Sequence, residues 1–181
     1  MKAFVTSVGE KTTDICCELL KKFGFDVILL DEKEKWIDKY KRFINLADED
    51  CVRIDADIIP NENIKEFLGF NMVLYNNYYM VQNQYYDIYR NKVVPGHPLY
   101  YSDSAIEIIK NNLDKLHPNR PETSAWRLGG MNDSNFTTDI VMGIHGIYQD
   151  EETVERAKQN KIDRKQIGEY NFDLINKLMK L

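Results

Sequence analysis

The chain has 181 residues, enough for one domain around a single core. Its 43% hydrophobic and 29% charged residues are the balance of an ordinary globular protein. A formal net charge of -5 argues against general nucleic-acid binding, which needs clustered cations to neutralise phosphates. No apolar run approaches the roughly 20 residues of a membrane span. The segment Met1–Thr6 runs straight into a strand-like stretch without the apolar region and cleavage site of a signal peptide. Three cysteines, two of them adjacent (Cys16 and Cys17), make neither a disulfide framework nor a zinc spacing. These features predict one cytoplasmic domain over residues 1–181.

Residues 3–8 predict a first strand stopped by Gly9. Thr12 or Thr13 caps a helix whose Ile15, Cys16, Leu19 and Leu20 recur at helical spacing, and Gly24 ends it. Residues 25–30 follow as a buried strand closed by Asp31, so the chain opens as strand, helix, strand, the start of a parallel α/β sheet. Trp36, Tyr40, Phe43, Ile44 and Ala47 mark an amphipathic helix. The mixed charges from Lys33 to Arg42 read as its solvated face, although Lys39 and Arg42 could reach a phosphate. Residues 51–54 form a third strand leading into Asp55-Ala56-Asp57. Asn61 or Asn63 caps a short helix through Phe67. Tyrosines 75, 78, 79, 85, 86 and 89 suit strands of a partly exposed sheet.

Farther on, Pro95-Gly96-His97-Pro98 reads as a turn or loop. Ser102 or Asp103 caps a helix with Ala105, Ile106, Ile108, Ile109 and Leu113 on its buried face. Residues 117–135, rich in proline, glycine and small polar residues, predict a long functional loop with one helical turn. Residues 140–147 are strand-like, interrupted by Gly143 and Gly146. A charged helical tail covers 151–181, its stripe of Phe172, Leu174, Ile175 and Leu178 docking on the body.

The most informative element is Arg53-Ile54-Asp55-Ala56-Asp57-Ile58-Ile59. Carboxylates at the C-terminal end of a parallel strand stand where open α/β sheets bind ligands. Two hard oxygen donors two residues apart can reach one Mg²⁺ or Mn²⁺ whose other ligands are diphosphate oxygens. Two like charges so close are costly unless a cation compensates them. The competing reading is a pair of turn or capping aspartates. Late in the chain, Gly143-Ile144-His145-Gly146 sets an imidazole between glycines at a strand end, and imidazole favours manganese over magnesium.

The strand ending at Thr6-Ser7-Val8, the Asp31 after the second strand and the apolar-Asp-Ala-Asp-apolar element together resemble glycosyltransferases of the GT-A fold, family-2-like members in particular. The resemblance is clearest over residues 3–68. It implies a mixed, mainly parallel sheet flanked by helices, with residues 1–68 as the nucleotide-binding half and 69–150 completing the metal and acceptor sites. It implies that Thr6, Ser7, Val8 and Asp31 cradle the nucleoside of a nucleotide-sugar donor. Asp55 would lie near the ribose and metal, with Asp57 as the firmer metal ligand and His145 as the third. An inverting enzyme of this family also needs a carboxylate to take the acceptor's proton. Pro121-Glu122-Thr123-Ser124-Ala125-Trp126-Arg127 is similar in shape to the family's acidic motif, with Pro-Glu in place of Glu-Asp. Glu122 is the candidate base, with Asp139 and Asp133 as substitutes and a first-turn helix residue as the competing reading. Trp126 could stack on an acceptor or fill the core.

Other classes fit less well. Gly9-Glu10-Lys11-Thr12 lacks the earlier glycine of a Walker loop, and Glu10 interrupts it. A sugar-phosphate nucleotidylyltransferase would carry a glycine-rich loop with Arg and Lys after strand one, where this chain has a single glycine. A binding module that keeps the fold without catalysis is the non-enzyme alternative.

Overall fold

The computed structural model describes residues 1–68, 78–129 and 135–149, together with Glu155 and Gln159. Side chains alternate across the strands, and the two faces of the sheet therefore collect different cores. In β1 (Lys2–Thr6), Ala3 and Val5 pack with α1 (Thr13–Phe23), while Phe4 points to α2 (Trp36–Leu46). β3 (Cys51–Asp55) repeats the pattern: Val52 and Ile54 join the first core and Cys51 the second. The second core also takes Ala105, Ile106 and Ile109 of α3 (Asp103–Lys110) and Ala125 of α4 (Pro121–Gly129). Phe43 sits edge-on to both Phe4 and Tyr101 at centroid distances of 5.0 Å; cutting such a ring to alanine costs about 3–5 kcal/mol.

The sheet also contains β2 (Asp26–Leu30), β4 (Ile58–Pro60), β5 (Met80–Asp87), β6 (Lys92–Tyr101) and β7 (Asn135–His145), in the order β2-β1-β3-β6-β5-β7-β4. Strands β1, β2, β3, β5 and β7 run one way and β4 and β6 the other. The expected mixed, mainly parallel α/β sheet is what the chain forms.

Local signals act largely as read. Gly24 adopts φ 102° and closes α1, its N–H bonded to the Leu20 and Lys21 carbonyls. Ser102 caps α3 by accepting from the Ala105 N–H, and Asn61 caps a 3-10 helix (Glu62–Phe67) by accepting from Asn63.

Several expectations are corrected. β1 stops at Thr6, short of Val8. β2 is an edge strand with Asp26 and Leu29 exposed, so it is half buried at most. Thr12 makes no side-chain cap; its hydroxyl donates to the Ala56 carbonyl at 2.7 Å. Ile108 is exposed and Leu113 lies beyond α3. Pro95-Gly96-His97-Pro98 is no turn but the middle of β6, and residues 121–129 form a helix rather than loop. β7 begins five residues before the predicted strand and runs through Gly143, which faces the Ile59 backbone too closely for a side chain. The C-terminal stripe Phe172, Leu174, Ile175 and Leu178, the alternative base Asp133 and Tyr75 lie outside the described residues.

Candidate active site

Parallel pairing sets the C-terminal ends of β1 and β3 side by side, with Thr6 opposite Asp55. The Thr6 hydroxyl donates to Asp55 Oδ1 at 2.6 Å. The chain then turns tightly. The Ala56 N–H bonds the Thr6 carbonyl at 2.9 Å, and the Asp57 carbonyl accepts from Gly146 at 3.1 Å. Both aspartates thereby reach one cleft of about 180 Å³, whose walls are Thr6, Ser7, Val8, Glu10, Trp36, Lys39, Asp55 and Asp57.

Asp57 meets His145 because β4 pairs antiparallel with β7, Ile58 opposite His145. His145 Nε2 lies 3.0 Å from Asp57 Oδ2, and its Nδ1 is 3.5 Å from buried Asp87. Tyr85 and Tyr89 face the imidazole edge-on at 5.6 Å. Burial alone would push the ring toward neutrality, but Asp57 and Asp87 outweigh it and raise its pKa to about 9.

Asp55 belongs to a second group. Arg53, fully buried on β3, donates to Asp55 Oδ1 at 2.9 Å and to the Glu122 carboxylate, and its Nη2 lies 3.0 Å from His97 Nε2. The guanidinium stacks over Trp36 at 4.9 Å. His97 Nε2 is 3.2 Å from Asp55 Oδ2 and 3.7 Å from Glu122 Oε1. Burial works against the Asp55 charge, yet His97, Arg53 and the Thr6 hydroxyl hold its carboxyl down at about 2. Glu122 is likewise held below its usual value, chiefly by Arg53 against the effect of burial.

His97 reaches this place through a β-bulge. On β5, Gln82 faces Leu99 while the next residue, Asn83, faces Gly96, leaving His97 and Pro98 unmatched. Proline has no N–H for a ladder, so a bulge is where a sheet tolerates it. Buried Asn83 donates to the Pro98 carbonyl at 3.0 Å. The bulge aims His97 into a second cleft of about 300 Å³, which it shares with Met80, Gln82, Gly96, Leu99, Glu122, Thr123 and Trp126.

No family model and no curated protein matches the chain. Solved structures do. Rv0371c from Mycobacterium tuberculosis H37Rv, also solved with manganese, aligns with a TM-score of 0.55 and 10% identity over 88% of this chain and 98% of that one. The 4-diphosphocytidyl-2C-methyl-D-erythritol synthase of Anaerococcus prevotii DSM 20548 gives 0.53 and 7%, over 88% and 95%. A glycosyltransferase involved in glycosylation of the major capsid of PBCV-1 gives 0.51 and 11%, over 87% and 98%. The likeness is one of fold. A synthase and a glycosyltransferase share it.

Within that fold, Thr6, Ser7, Val8, Asp55 and Asp57 share a cleft wall, Asp57 touches His145, and Glu122 touches the Asp55 group. Asp31 is exposed at the end of β2, and Asp139 is exposed on β7; neither lines the two clefts. The expected trio of Asp55, Asp57 and His145 divides between two neighbouring groups, and among the described residues the three ligand atoms that lie within 4.8 Å of one another are those of Asp55, His97 and Glu122. Both aspartates carry built-in compensation, Asp55 from Arg53 and Asp57 from His145, so the electrostatic need for a metal is weaker than the bare motif implies. The donor set still suits a divalent cation: carboxylates for a hard ion, with an imidazole beside them.

His97 and Arg53 are site residues that the sequence does not announce. A histidine flanked by glycine and proline reads as loop, and an arginine among apolar residues was the available signal for a buried carboxylate partner. Lys39, read as part of a solvated face, is buried in the cleft wall.

Proposed function

We propose that the chain is a metal-dependent glycosyltransferase that moves a sugar, with inversion, from a nucleotide-sugar donor to an acceptor in the second cleft. The observation that carries this reading is the meeting of two clefts at Asp55. That residue lines the first, and its Oδ2 lies 3.2 Å from His97, which lines the second with Glu122.

Thr6, Ser7 and Val8 would hold the nucleoside, with Asp31 at the neighbouring strand end. Asp55, Asp57 and His145 would hold Mn²⁺ or Mg²⁺, which supplies the positive charge that stabilises a departing diphosphate. His97 and Glu122 offer alternative ligands from the other wall. The same wall must also accept the acceptor hydroxyl's proton. Pairing with Arg53 lowers the proton affinity of Glu122, so that role falls to Glu122 and His97 together. Trp126 presents an apolar surface beside them.

The loop after β1 favours glycosyl over nucleotidyl transfer. A triphosphate cradle needs open backbone N–H groups, but Glu10 accepts from the Val8 N–H at 2.7 Å and from the Ser7 hydroxyl at 2.6 Å. The test is to offer nucleotide-sugars with Mn²⁺ and, separately, nucleoside triphosphates with sugar 1-phosphates. Release of nucleoside diphosphate in the first set is expected. Pyrophosphate from the second set alone would replace this reading with nucleotidyl transfer, and binding without turnover in both would leave a binding module.

A further inference from the structure

Lys39 stands near the N-terminal end of α2 and is 1% exposed. An ammonium taken out of water costs several kcal/mol unless it is paired, and lysine is among the residues least often buried. Its Nζ donates to the Ser7 carbonyl. Among the described residues no carboxylate lies within ion-pair distance of it. An ammonium has three N–H donors, so two remain beyond the Ser7 bond.

The cleft it lines is otherwise acidic. Glu10, Asp55 and Asp57 share the wall, and Lys39 is the one cation among the described lining residues. A diphosphate entering there meets three carboxylates. A metal at the aspartates offsets part of that repulsion, and the loop's Val8 and Gly9 N–H groups are already engaged, by Glu10 and by the Ser7 hydroxyl.

We infer that Lys39 is a phosphate-binding residue: its spare N–H donors grip the donor's diphosphate, a second positive contact beside the metal. The inference rests on the glycosyltransferase reading, because it takes the donor to lie in this cleft. A structural role alone, fastening α2 to the end of β1, would need only the Ser7 bond.

The probe is whichever of UDP, GDP, CDP and ADP binds the unaltered chain tightest with Mn²⁺ in calorimetry, compared with its nucleoside. Lys39→Met keeps the length of the side chain and removes the charge. Affinity for the diphosphate should fall roughly ten- to hundredfold, the loss of one charge-assisted hydrogen bond or slightly more, while nucleoside affinity stays put. Lys39→Arg should recover part of the loss. Equal diphosphate affinity in Lys39→Met and the unaltered chain overturns the inference and spares the glycosyltransferase reading. Failure of all four diphosphates to bind the unaltered chain overturns both. Should Lys39→Met not fold, a crystal structure of the unaltered chain with diphosphate and Mn²⁺ decides: a phosphate oxygen within hydrogen-bond distance of Nζ supports the inference, and a phosphate beyond that reach overturns it.

Discussion

Arg53 does more for the site than its place in an apolar run suggests. Its guanidinium bridges Asp55 and Glu122 with no exposure of its own. Arginine suits this because its planar fork serves two carboxylates at once. Arg53→Met removes the cation those carboxylates share and leaves His97 as their remaining neighbour; because both carboxylates are partly exposed, the loss is that of a charged hydrogen bond, about 1.5–3 kcal/mol. A urea titration should show that loss; a change under about 1 kcal/mol would mean the carboxylates find other compensation. His145 makes a prediction with a definite sign. Its pKa rises from 6.5 to about 9 on folding, so the stability it contributes is complete below pH 6.5 and disappears as pH climbs through about 9, at most about 3 kcal/mol. In metal-free buffer the unaltered chain should lose stability across that window relative to His145→Asn. Parallel profiles would show that the ring is not held protonated. The aspartates were legible as residues because a doublet ending a strand is a local pattern. His97 was not, because its partners lie 42 and 25 positions away, at Asp55 and Glu122.

The opening strands and helices were readable from pattern alone. Each of α1, β2, α2 and β3 has a glycine or acidic residue at or just past its end, and β1 is legible from its apolar run alone. Legibility fails where the stop signals themselves are built into an element. The prolines of β6 sit in and beside the bulge, and α4 has little apolar stripe beyond Ala125, Trp126 and Leu128. β4, three residues long, is too short for a period and exists because β7 pairs with it. That pairing needs Gly143: a Cβ there would meet the Ile59 carbonyl oxygen and Ile58 Cγ2 at 2.8 Å each. Gly143→Ala should cost about 1–3 kcal/mol, as overpacking does, and weaken Mn²⁺ binding by displacing His145 from Asp57. Thermal unfolding and Mn²⁺ titration report the two effects; an unchanged melting temperature would show that β4 yields without cost.

On the scale of the molecule, β6 is the feature that makes two clefts out of one sheet edge. It runs antiparallel between β3 and β5 and brings His97 to the strand ends where Thr6, Asp55 and Asp57 gather. Among the described residues no helix is long and apolar enough to cross a membrane. In the proposed reaction the twin aspartates tie a divalent cation to the donor's diphosphate. Calorimetric titration of a nucleoside diphosphate into the unaltered chain and into Asp57→Asn, each with and without Mn²⁺, tests it directly. Binding that requires Mn²⁺ in the first and vanishes in the second, with both chains folded by circular dichroism, is the predicted result. Mn²⁺-dependent binding that persists undiminished in Asp57→Asn would contradict it.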